Sequence, residues 1–390
     1  MKQRLMPHLF SACVFICLLG LLLFPKESLD ASTRGLELWW TIIFPSLLPF
    51  FILSDLLSEA TWTSRLGQFL EPVMKPIFRV SGNGAIILLL GYTSGFPVGA
   101  KMSVKLYQEG MLSKTDAQKL ICFTNGASPI FILGAIAAGL LQTPELGILL
   151  LTSHYLGNII IGIFIGRMIQ EDTSQPAFRT VIKEMKSRKS IGTLLQTAVT
   201  NSVQQLLLIG GLIVFFSVLS DLIMKLPFFS IFTNGLHSIS SELAISSDWS
   251  SGFIKGLLEM SNGIALIAVA NNDLIVRCLL IVAILSFGGF CIHAQIISCL
   301  HGSPLSYRPY LYSRIAHTIL SPILLWGILQ IIDLLKLPYS FLTRETMLQP
   351  DSFQRMVVWL ELLHFYGPIL TLITLFLTCL ILIKKRILSV

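Results

Sequence analysis

Charged residues are scarce in this chain: 13% of its 390 positions are Asp, Glu, Lys or Arg, whereas 54% are hydrophobic and the mean hydropathy is +0.76. A soluble domain carries roughly twice that charged share, about 25%, so a soluble fold is argued against at the outset. The net charge of +7 would suggest nucleic acid in a soluble protein. Here the basic residues lie between apolar runs, where membrane topology accounts for them and no folded domain remains to bind nucleic acid. Catalytic signatures are missing too. There is no HExxH, GxSxG or GxxxxGK[ST] and no pair of carboxylates within the apolar runs, which speaks against an enzyme and against a bound cofactor. The seven cysteines, at positions 13, 17, 122, 278, 291, 299 and 379, form no CxxC pair, so neither a disulfide framework nor a metal site is expected.

What the chain does have is long uncharged runs: Leu38 to Ser54, Val80 to Ala100, Leu120 to Pro144, Leu146 to Gly166, Ser190 to Ser220, Cys278 to Tyr307, Ile315 to Ile332 and Leu362 to Ile383. Most approach the roughly 20 residues that cross a bilayer as helix, so the sequence predicts an all-α polytopic membrane protein of about eight crossings. An uncleaved helix over 9–24 and a short loop fill residues 1–35, because Pro25-Lys-Glu-Ser offers no small-residue cleavage site. A first repeat follows over 36–167, then a basic loop over 168–193, a second repeat over 194–383 and a basic tail over 384–390. The loop, with Arg179, Lys183, Lys186, Arg188 and Lys189, is placed in the cytoplasm by its positive charge.

One run cannot be a simple crossing. Gly91-Tyr-Thr-Ser-Gly-Phe-Pro-Val-Gly99 sets three glycines and a proline within nine positions at membrane depth. Backbone groups freed there are tolerated only against protein or a water-filled cavity. A re-entrant hairpin is therefore expected within a broken element at 84–110, with Lys101 to Glu109 on its exit limb. Landmarks of the first half recur in order in the second. Ser54-Asp-Leu-Leu returns as Ser220-Asp-Leu-Ile, Gly95-Phe-Pro-Val-Gly-Ala100 as Gly289-Phe-Cys-Ile-His-Ala294, Ser128-Pro-Ile as Ser321-Pro-Ile, and His154-Tyr-Leu-Gly loosely as His364-Phe-Tyr-Gly. This correspondence puts a second hairpin in a broken element at 274–300. Three crossings separate the Ser-Asp landmarks, which implies inverted repeats around a midplane site. The tail Lys384-Lys-Arg386 pulls against that arrangement, and the orientation of the second half stays open. Phe253 to Ala270, which carries Lys255 and Glu259, reads as an interfacial amphipathic helix, and Phe228 to Ser251 as an extramembrane loop.

Candidate binding residues gather at the breaks. Thr93, Ser94, Gly95 and Gly99 lie at the first, with Lys101 beyond, and Asn125 and Ser128 precede Pro129 in the next helix. The second half supplies His293, Gln295 and Ser321, and Glu259 with Asn262 is its best acid candidate. If the breaks meet, they line a cavity with hydroxyls, amides, freed backbone groups and a cation, which suits a small polar anion. Each has a structural alternative: Lys101 snorkelling to the interface, His293 packed and hydrogen-bonded, Glu259 solvated. His154 and His364 read as inter-helix hydrogen bonders, and Asp55 and Asp221 as interface markers with a coupling-ion role left open.

The stretch Gly91 to Lys101, followed by Glu109-Gly110, Leu112-Ser113 and Phe123-Thr-Asn-Gly-Ala-Ser-Pro129, resembles the YlbJ-type sporulation integral membrane proteins. Gly256-Leu-Leu-Glu-Met-Ser-Asn-Gly263 and Ser286-Phe-Gly-Gly-Phe290 are similar to the same family, and the likeness runs from about residue 36 to 380. The resemblance implies a Gate, or nucleoside-recognition, domain with a concentrative-nucleoside-transporter-like core. It further implies transport of dipicolinic acid across the mother-cell-derived membrane around the forespore, with the lipid bilayer and a small anion as partners and a homo-oligomer compatible with it. The glutamine-threonine-glutamate hairpin motif of nucleoside carriers is absent at Gly91 to Lys101. A nucleoside-type transporter and a membrane scaffold for spore formation are the alternatives.

Overall fold

The computed structural model describes residues 2–58, 62–169, 190–225, 235, 238 and 249–334, all within the first of two compact units, Met1–Leu337. Most of the basic loop and of the Phe228 to Ser251 stretch, along with His364 and the tail 384–390, lies outside the described residues. Among the described residues every regular element is helical, and four are long and apolar enough to cross a membrane: Leu146–Met168, Gly192–Met224, Leu274–Leu300 and Tyr307–Leu334.

The chain begins with α1 (Lys2–Leu23) and α2 (Pro25–Leu38), where a proline stands at the first helical position, a place whose N–H has no intrahelical partner anyway. A single π turn, Trp39–Ile43, leads into α3 (Phe44–Ser58), and α4 is Trp62–Phe78. Next come α5 (Gly84–Ser94), α6 (Val98–Gln108) and α7 (Lys114–Phe123). The run Leu120 to Pro144, expected to cross, is not one helix. It stops at Phe123, because Gly126 and Pro129 leave the stretch 124–129 without a continuous helical ladder, and resumes as a wide π-type helix, Ile130–Leu140. The long helices α8 (Leu146–Met168) and α9 (Ile191–Met224) follow. The second half contains α10 (Trp249–Leu258), α11 (Met260–Ala268), α12 (Leu274–Phe287), α13 (Gly289–Leu300) and α14 (Tyr307–Leu334).

The expected first hairpin is present. α5 and α6 turn back on each other through Gly95, whose φ of 84° suits a residue without a β-carbon, and through a cis Phe96–Pro97 bond. The Gly91 and Gly99 backbones meet beneath this tip, and a β-carbon on either would strike Thr124.

The second half departs from the expected arrangement. Its tight hairpin is α10–α11, not 274–300. The Gly256 and Gly263 backbones touch, and a β-carbon on Gly252 would lie 2.8 Å from Ile267. Phe253 to Ala270, expected to be one amphipathic helix, thus folds as two helices packed on each other. Residues 274–300 are indeed broken, at Gly288 and Gly289 with φ of 87° and 71°, but the two pieces continue as one membrane-length element. The sequence match between Gly95 and Gly289 therefore pairs a hairpin tip with a helix break.

Helix α14 shows how composition sets the lipid face. Ile315, Ile319, Ile323 and Trp326 are exposed at helical spacing, whereas Tyr310, Ser313, Arg314, His317 and Ser321 are buried. The polar stripe faces protein and the apolar stripe faces outward, as a bilayer requires. α14 packs on α12 and α8, and α9 runs along α2 and α3.

Candidate functional site

A cavity of about 360 Å³ opens where the two hairpin tips meet the two helix breaks. Ser94, Gly95 and Phe96 come from the first tip, and Glu259, Met260 and Ser261 from the second. Ala127 and Ser128 come from the first break, and Cys291, Ile292 and Gln295 from the helix that starts at the second. Ile43, Leu47, Phe131, Ile209 and Ile213 complete a mostly apolar wall. The volume falls in the range of small-molecule sites, about 300–1,000 Å³.

Among the described residues, two buried side-chain atoms at this cavity lack hydrogen-bond partners, the Ser94 hydroxyl and the Gln295 amide oxygen, and the Gln295 amide nitrogen reaches the Cys291 sulfur at 3.6 Å. Glu259 is the one charged side chain in the lining. Its carboxylate caps α11, accepting from the Ser261 N–H at 3.1 Å and the Asn262 N–H at 2.8 Å. That geometry places carboxyl oxygens at the N-terminal end of a helix, where they meet N–H groups that have no intrahelical partner.

Beneath the cavity the first break is tied down by its own Asn125 and by side chains from α8 and α14. Asn125 accepts from the Ala100 N–H at 2.9 Å and donates to Ile121 O at 2.8 Å. His154 Nε2 accepts from the Ala127 N–H at 3.1 Å, which leaves its Nδ1 to bond Ser286 Oγ at 3.3 Å. His317 Nε2 donates to His154 O at 2.8 Å, so its Nδ1 faces Arg314 as an acceptor. Both imidazoles are thereby held as neutral tautomers by the bonds on their two nitrogens. Fully buried Arg314 donates to Cys122 O, Asn125 O and the Asn158 amide oxygen. Arg314 escaped the sequence reading. An arginine in an otherwise apolar run, one turn from His317, was the signal that marks it.

Of the candidate residues, the structure brings Ser94, Gly95, Ser128, Glu259 and Gln295 to the cavity wall. The others lie elsewhere. The Thr93 hydroxyl donates back to Leu89 O at 2.8 Å, and Gly99 abuts Thr124. Asn125 sits under the cavity. Asn262 donates to Ser217 Oγ at 2.9 Å, and His293 Nδ1 bonds the Tyr307 hydroxyl at 2.8 Å. Ser321 packs against Gly157. Lys101 turns away from the cavity to Asp55, 3.6 Å distant, with Lys105 at 3.9 Å. Asp221, the second-half counterpart of Asp55, likewise binds its own hairpin through Lys255 at 2.5 Å. The repeated Ser-Asp landmarks thus anchor hairpins.

Residues 40–144, which include the first hairpin and first break, match the Gate family, described as nucleoside recognition. Over 325 residues the chain is 35% identical to the sporulation integral membrane protein YlbJ of Bacillus subtilis (strain 168), covering 77% of this chain and 78% of that one. The chain belongs to the YlbJ family of sporulation integral membrane proteins. The Gate match supplies Ser94 to Phe96 and Ala127 to Ser128 of the cavity, whereas Glu259 and Gln295 lie outside it. No solved structure matches the chain.

Proposed function

We propose that this multi-pass membrane protein is a secondary transporter that carries a small aromatic acid, dipicolinic acid, across the outer forespore membrane. One observation carries the transport reading: both hairpin tips and both helix breaks line a single cavity. Transporters of discontinuous helices bind substrate at such junctions. The element order supports two repeats, since a helix ending near a Ser-Asp pair, a hairpin, a broken element and a long helix each occur twice in sequence. We read the repeats as inverted, with the hairpins moving against the scaffold of α8 and α14.

The reading of substrate class rests on chemistry. Apolar walls suit the faces of an aromatic ring, while the unpartnered Ser94 hydroxyl and Gln295 amide can bond groups at its edge. With Lys101 engaged by Asp55, carboxylates are received by half-helix N-termini at the cavity, chiefly that of α13 near Cys291 and Ile292. Glu259 already fills the corresponding place on α11.

The test is uptake of labelled dipicolinate into proteoliposomes. Wild-type uptake should exceed that of empty vesicles and saturate. Ser94→Ala and Gln295→Ala should each weaken apparent affinity by roughly five-fold, the equivalent of one hydrogen bond of about 1 kcal/mol. Uptake competed by uridine but not by unlabelled dipicolinate would favour the nucleoside reading. No uptake, with sporulation defects mapping to the loops 168–193 and 228–251, would favour the scaffold.

A further inference from the structure

Arg314 is fully buried in a membrane-spanning helix, and none of its hydrogen-bond partners among the described residues is a carboxylate. Withdrawing a guanidinium from water is costly unless its charge is answered. Nη2 donates to Cys122 O at 2.6 Å and to the Asn158 amide oxygen at 2.8 Å. Nη1 donates to Asn125 O at 2.9 Å, and the guanidinium carbon lies 5.5 Å from the centre of the Tyr310 ring. Cys122 and Asn125 are where α7 ends and the first break begins. Their carbonyls carry the negative end of a helix dipole. In transporters built from discontinuous helices, such unwound carbonyls and half-helix C-termini coordinate the coupling cation.

We propose that Arg314 is a resident cation that takes the place of a bound sodium ion at the first break, so that the substrate site is assembled without a metal ion there. Three of its four acceptors are hard oxygens, two carbonyls and one side-chain amide, the kind of donor that alkali cations accept, and the fourth is His317 Nδ1 at 3.1 Å. The neighbouring histidines cannot supply the charge instead, because each is held neutral by the bonds on its two nitrogens. Asn125 connects this charge to the hairpin, since its carbonyl receives the guanidinium while its side chain accepts from the Ala100 N–H. Arg314 is in this sense a positioning residue for the tip that carries Ser94. Only the uptake arm of the test rests on the transport reading.

The experiment compares melting temperatures of the purified full-length chain in sodium chloride and in choline chloride at equal ionic strength. The wild type should melt at the same temperature in both salts. Arg314→Gln should melt lower in choline and regain several degrees in sodium, because a cation that binds only the folded state stabilises it. Arg314→Lys, which keeps a positive charge on the same turn, should regain little. Sodium-specific stabilisation of the wild type overturns the proposal, as does a folded Arg314→Gln that ignores sodium, lithium and potassium alike. Should Arg314→Gln not fold in either salt, the wild-type and Arg314→Lys arms decide: sodium-specific stabilisation of either refutes it and the absence of it in both supports it. In proteoliposomes, wild-type uptake that requires sodium also refutes it. No uptake with any ion, alongside melting shifts that follow Arg314, would instead remove the transport reading alone.

Discussion

The two hairpins close one cavity but are held by different means. The first is tied to the scaffold by two polar contacts, the Ala100 N–H to Asn125 and Lys101 to Asp55, and the backbones of Gly91 and Gly99 pack against Thr124. The second is held chiefly by itself, through backbone contact between Gly256 and Gly263 and by Glu259 capping α11. Its side-chain ties to α9 are Asn262 to Ser217 and Lys255 to Asp221. Both hairpins need an absence of side-chain volume where their glycines meet backbone, but the first adds a backbone-to-side-chain bond to the helix break, Ala100 N–H to Asn125, that can be removed singly. The sharpest break in this comparison is Gly263→Val, which should cost at least about 3 kcal/mol by overpacking, read as loss of folded protein in detergent melts. Gly327→Ala, where nothing lies within 4 Å of the added carbon, should stay within about 1 kcal/mol of wild type.

Asn125→Ala probes the other mode. It removes the acceptor of the Ala100 N–H in a buried setting, and should cost about 1–3 kcal/mol while leaving the second hairpin intact. Cysteine accessibility at the two tips would separate a local loosening of the first hairpin from global unfolding. A smaller effect is expected at Glu259. Glu259→Ala should lower stability by about 0.5–2 kcal/mol as a lost helix cap, and Glu259→Gln, which keeps an acceptor, by less. If both variants cost the same, the charge and not the cap sets the tip.

How much of this was legible in the sequence follows from what each element depends on. The membrane class and the break at Gly91 to Gly99 are local properties of composition and backbone, and they stand in the structure as read, whereas the run Leu120 to Pro144, read as one crossing, is interrupted before Pro129. The second hairpin was misplaced because Lys255 and Glu259 look too polar for a packed segment. What makes them tolerable is tertiary: Asp221 lies 2.5 Å from Lys255, and two N–H groups meet the carboxylate. The repeat was matched on shared letters, Gly95 with Gly289, whereas the physical equivalence is a pair of glycines on facing helices, Gly91 with Gly99 and Gly256 with Gly263. Five candidate residues reached the cavity because breaks concentrate polar groups there. Lys101 did not, because nothing in its neighbourhood in sequence announces Asp55, nearly fifty residues away.

Lys101 gives the finest test of the comparison. Read from sequence it is the cation that meets the substrate, and read from the structure it fastens α6 to Asp55. Asp55 is buried and the lysine only 21% exposed, but Lys105 at 3.9 Å from the same carboxylate remains to answer its charge, so removing Lys101 should cost about 1–2 kcal/mol instead of the larger penalty of an uncompensated buried charge. Lys101→Met should therefore lower the melting temperature modestly and leave the apparent affinity for dipicolinate within about three-fold, which corresponds to less than about 1 kcal/mol. Ser94→Ala on the same hairpin should do the reverse, since its hydroxyl has no protein partner to lose. A ten-fold loss of affinity in Lys101→Met with unchanged stability would mean that the lysine leaves Asp55 and reaches the substrate during the cycle. The first hairpin would then be the moving part, and its polar ties would be contacts of one state of the protein rather than fixed anchors.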